Sequence, residues 1–109
     1  MKLLTYAEAG WLVGDDAAQA IVDYAVALGR TSSADSIEFS ALGPQGQTEM
    51  VTFLIGPATM MTIESTDSAL DEPENSAAIT TIRERLARIK PPAPVPSAER
   101  PNNQQIEDL

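Results

Sequence analysis

The sequence predicts an α+β domain: an antiparallel sheet built from an N-terminal hairpin and a three-strand meander, two helices, the order ββαβββα, and a disordered C-terminal tail. Three observations carry that expectation. Polar positions recur at helical steps over residues 14–30, residues 36–64 alternate with the period of strands and are cut by Gly-Pro turns, and residues 91–109 are proline-rich without any period. A chain of 109 residues fits one core, so residues 1–90 are expected as a single domain and 91–109 as its tail.

Residues 2–13, KLLTYAEAGWLV, admit two readings. As β, residues 3–6 and 10–13 pair through Ala7-Glu8-Ala9-Gly10, with Tyr6 and Trp11 as an aromatic pair near the turn. As α, Thr5 and Glu8 have the spacing of a capping box. The stretch LTYAEAGWLVGDD followed by a helix resembles the opening of a MerR or excisionase type helix-turn-helix, matching at Leu4, Thr5, Glu8, Ala9, Val13 and Gly14. That resemblance implies a recognition helix over 14–30 and DNA binding. The helix offers Gln19 and Asp23 and no cation before Arg30, so acids would meet phosphates. DNA binding is therefore rejected and the hairpin preferred.

In the helix over 14–30, Asp15 or Asp16 is placed to cap the start, and Asp16 with Gln19 has capping-box spacing. Gly29, after Leu28, stands where a left-handed C-terminal residue is wanted. Asp16, Gln19, Asp23 and Arg30 make one narrow polar stripe on a cylinder otherwise apolar. Such a helix needs more than one neighbour, and the surface around Ala18, Val22 and Val26 is expected to meet a second helix or a partner subunit.

Ile37, Phe39 and Ala41 alternate with Ser36, Glu38 and Ser40 as a half-buried strand should, and Gly43 to Gln47 supply a turn. Residues 48–55 return with Val51, Phe53 and Ile55 on one face and Met50, Thr52 and Leu54 on the other. Because neither face is strongly polar, this strand is expected to be central. Gly56-Pro57 breaks it, and residues 59–64 form the third strand. A second helix, starting near residue 73 or 76 and running to 90, has one dry stripe of Ile79, Ile82, Leu86 and Ile89.

Charge and composition restrict function. Residues 1–82 hold twelve acids against Lys2 and Arg30, a net −10, within a chain of net −9. Such a body repels nucleic acid and anionic membrane and suits a basic partner. Cysteine and histidine are absent, which removes thiolate chemistry, the usual zinc sites and the commonest general base. No cofactor-binding motif is present. Thr5 and Glu8 interrupt any signal-peptide core in residues 1–13, and the cytoplasm is the expected location.

Candidate partner-binding residues are Met50, Leu54, Met60, Met61, Trp11, Val22 and Val26. The methionines and Leu54 would form an adaptable contact face, unless the second helix covers them. Trp11, like Tyr6, serves either a partner or the core. Asp67, Asp71, Glu72 and Glu74 are candidate metal ligands, although they lack EF-hand spacing and also suit helix capping and dipole compensation. Arg83, Arg85, Arg88 and Lys90 suit an acidic partner or the negative end of their own helix. Ile106 and Leu109 are candidates for a tail docking motif.

The expected function is a small acidic protein-interaction module, accessory or regulatory, without catalytic activity. Its partner would be another protein with a basic surface, or a second copy in a homodimer. The alternative is a small-ligand or divalent-metal-binding domain using the acidic loop at 67–74.

Overall fold

The computed structural model describes residues 1–89. It is an α+β structure of a five-stranded antiparallel sheet and two helices in the order β1 (Lys2–Tyr6), β2 (Ala9–Val13), α1 (Asp15–Arg30), β3 (Asp35–Leu42), β4 (Thr48–Ile55), β5 (Met61–Ser65) and α2 (Ser76–Arg88). The expected tail, with Ile106 and Leu109, lies outside the described residues, as does Lys90.

Residues 2–13 form the hairpin. Its turn is only Ala7-Glu8, since Tyr6 stands opposite Ala9, and both turn residues take positive φ, 51° and 69°. A two-residue turn with this geometry follows the twist of the strands but suits Asn-Gly better than Ala-Glu. Tyr6 and Trp11 do not stack on one another as expected. Each meets Phe53 of β4 edge-to-face, at centroid distances of 5.4 and 5.6 Å, because Trp11 is opposite Leu4 in the register while β4 curls across both aromatic rings.

The sheet order is β4-β3-β2-β1-β5. The expected meander holds through the β3–β4 hairpin; β5 then crosses to the far side and pairs with β1, Leu4 against Ile63. β4 is consequently an edge strand, not a central one. Its apolar outer residues Met50 and Leu54, which suggested burial on both faces, are both 65% exposed.

The inner face carries Leu4, Val13, Ile37, Phe39, Ala41, Phe53 and Ile55, all buried against Ala17, Ala20, Ile21, Tyr24 and Leu28 of α1. At about 25 cal/mol per Å² of apolar area, the side chains of Phe39, Phe53, Leu4 and Ile21 each contribute about 1.5–3 kcal/mol by leaving water. Gly14, not an aspartate, is the N-cap of α1, and no side chain bonds the cap. A Cβ on Gly14 would meet the carboxylate of Glu72, the flexible end of an exposed side chain that can swing aside. Asp15 and Asp16 fall inside the first turn, where they oppose the helix dipole. The helix also runs past Gly29. Thr31 is the C-cap, and the left-handed residue is Ser32, with φ 52°.

The strands β2 and β3 pair only at Leu12–Leu42 and then diverge. α2 lies along α1 with Ile82 buried and Ile79, Leu86 and Ile89 against the core, and its cap residue Asn75 meets β3 at Ser40. The apolar stripe of α2 thus covers α1 and the edge of β3. The outer sheet face is left open at β4.

Candidate interaction surface

The polar contacts that seat α2 also shape the surface beside it. Asn75, buried at 8% exposure, accepts from Ser40 N–H at 2.8 Å and donates to Ser40 C=O at 2.8 Å. Its amide therefore does for β3 what a neighbouring strand would do. At the other end of α2, Asp35 Oδ2 accepts from Tyr24 Oη at 2.5 Å and from Arg85 Nη1 at 2.8 Å, while Arg85 also reaches Ser36 C=O at 3.1 Å. The Tyr24 hydroxyl, more than any other group, holds the Asp35 carboxyl below the ordinary range, with the Arg85 charge adding to it. Burial raises the Tyr24 phenol, and Asp35 raises it further. Asp23 is likewise lowered, first by its bond from Arg83 at 2.8 Å and then by Gln19. Two of the basic residues are thereby committed within the fold.

With α2 fixed there, an open groove runs between it and the outer face of β3 and β4, lined by Glu38, Met50, Thr52, Ala78, Ile82 and Arg85, with a volume of about 520 Å³. Met50 stands opposite Ser40, whose hydroxyl points to its sulfur at 3.8 Å, and Leu54 stands opposite Ser36. Alternation from the buried Phe53 and Ile55 puts Thr48, Met50, Thr52 and Leu54 together on this face.

The structure brings Met50 and Leu54 together and separates the other candidates from them. Met60 is 86% exposed in the link before β5, at the rim of a second concavity of about 390 Å³ beside Ala7 and Glu8. Met61 faces inward and packs on the core, as does the half-buried Trp11, whose indole N–H donates to Glu49 at 3.2 Å. Val22 is half-buried and Val26 47% exposed on α1, the helix that covers the opposite face of the sheet.

The acidic loop does not converge. Glu72 lies against Gly14, and Glu74 accepts from Ser76 N–H at 2.7 Å and from the Ser76 hydroxyl, bonds that hold its carboxyl below the usual range. Among the described residues no three acids, including Asp67 and Asp71, gather in a metal-binding group. No described helix is long and apolar enough to cross a membrane.

Asn75 and the Tyr24–Asp35–Arg85 group escaped the sequence argument. A buried tyrosine needs a hydrogen-bond partner, so Tyr24 on an apolar helix was a usable signal. Asn75, in a polar loop, carried none. The sequence matches no family model, and no curated protein or solved structure is detectably similar to it.

Proposed function

We propose that this protein is a cytoplasmic accessory module that binds another protein through the outer face of β4, where Met50 and Leu54 are presented. The observation that carries this reading is that both side chains are 65% exposed on one face of an edge strand, beside an open groove. Exposed apolar side chains gathered on one face mark contact sites more often than single scattered ones do. Methionine adapts its shape to a partner, and the chain's net charge of −9 favours a basic one.

The test uses the full chain immobilised in extract from its source cells, alongside Met50→Asp/Leu54→Asp, at about 0.05 M and about 0.5 M salt. The wild type is expected to retain a protein at low salt that the double variant releases, while both fold alike by circular dichroism. An identical retained set on both chains would overturn the reading.

A further inference from the structure

The side chains of β4 show where a partner sits; its main chain shows how. Ser40 N–H and C=O both point away from β4, because the Asn75 amide bonds them there. Ser40 stands opposite Met50, so the Met50 N–H and C=O point away from β3 in the same way. Tyr6 fixes the same alternation independently: its hydroxyl donates to Leu54 C=O at 2.8 Å and accepts from Leu54 N–H at 3.3 Å, four residues further along the strand. Thr48, Met50 and Thr52 therefore turn their main-chain groups out of the sheet edge. All three residues are exposed, and among the described residues no other group bonds those amides and carbonyls.

Proteins usually protect such an edge with a short strand, a lysine or a proline. β4 is eight residues long and has neither residue. The other edge, β5, is five residues long and turns Thr62 and Glu64 outward.

Resting on the reading above, we propose that an extended segment of another protein adds to β4 as a further strand, alternating apolar and basic residues. Spanning Thr48 to Thr52 takes about five residues, about 17 Å at 3.3 Å each. On the outer face its side chains lie beside Met50 and Leu54, which calls for apolar residues. On the opposite face its side chains lie beside Glu49, which calls for lysine or arginine. A second copy is the poorer occupant, because each chain carries −9 and like charges would meet along the shared edge.

The probes are fluorescent heptapeptides of alternating valine and lysine, the same peptide with N-methyl groups on the edge-facing amides, and a valine–glutamate version. Anisotropy on the full chain should show saturable binding of the first, weakened about tenfold or more by N-methylation, since several main-chain hydrogen bonds are lost. The valine–glutamate peptide should not bind. Thr52→Pro removes an outward amide without touching the β3 ladder and should also abolish binding; Glu49→Lys provides a second test by repelling the peptide's lysines should the proline variant unfold. Equal binding of the N-methylated peptide would overturn strand addition while leaving the outer-face reading intact. A dimer in light scattering that Thr52→Pro dissolves would assign the edge to a second copy. Absence of peptide binding, together with a cellular partner that Met50→Asp/Leu54→Asp still releases, would overturn strand addition alone.

Discussion

Replacing Asn75 by alanine tests how α2 is held and so why the groove exists. The side chain makes two bonds of 2.8 Å to Ser40 and is itself buried. Each such bond contributes a net of about 0.5–1.5 kcal/mol, and the truncation strands both Ser40 groups, so about 1–3 kcal/mol is expected. Ser40 is half-buried, so water repairs part of the loss and the middle of that range, about 2 kcal/mol, is the figure to test. For a domain of this size that lowers the melting temperature by about 8–16 °C. Urea denaturation followed by circular dichroism measures it, with an unchanged slope showing that the same surface unfolds. Asn75→Asp fills the same space but turns a second acceptor on Ser40 C=O, and it should also be destabilised at neutral pH. If alanine costs less than about 0.5 kcal/mol, or if the aspartate variant is as stable as wild type, the strand-like role of Asn75 is wrong.

Two further outcomes follow from the fold. Ala7→Asn/Glu8→Gly relieves two positive-φ positions and should raise stability by about 1–2 kcal/mol, read as a higher urea midpoint; no gain would mean that the turn is unstrained. Asp23 and Asp35 are both held below the ordinary aspartate range in the folded chain, so their stabilising contribution is present above the unfolded value and lost as pH falls through their folded values. Melting temperatures taken across that acid range should fall less steeply in Asp35→Asn than in wild type, and parallel curves would remove Asp35 from the acid response.

What was legible in the sequence is what local period decides. Ile37, Phe39 and Ala41 alternate with polar neighbours, so β3 and its buried face follow from the residues themselves; the same period put Phe53 inward and Met50 and Leu54 outward. Partner choice between strands is non-local. Nothing in residues 61–65 says that Ile63 will meet Leu4 from the beginning of the chain, so the crossing of β5, and with it the edge position of β4, was hidden. The start of α1 differs too: Asp15 and Asp16 are good caps locally, yet the helix begins at Asp15 with Gly14 as its cap and takes both aspartates into its first turn. Within the candidate site, exposed methionines looked alike in composition. Only packing separates Met50, on the open face, from Met61 on the core.

Residue-resolved amide hydrogen exchange along β4 tests the open edge most directly. In the free protein the Thr48, Met50 and Thr52 amides should exchange fast while Glu49, Val51 and Phe53, bonded to β3, are protected, and the three fast amides should slow when the partner retained by the wild-type chain is bound. Uniform protection along β4 in the free protein, or fast amides that the bound partner leaves unchanged, would contradict the account.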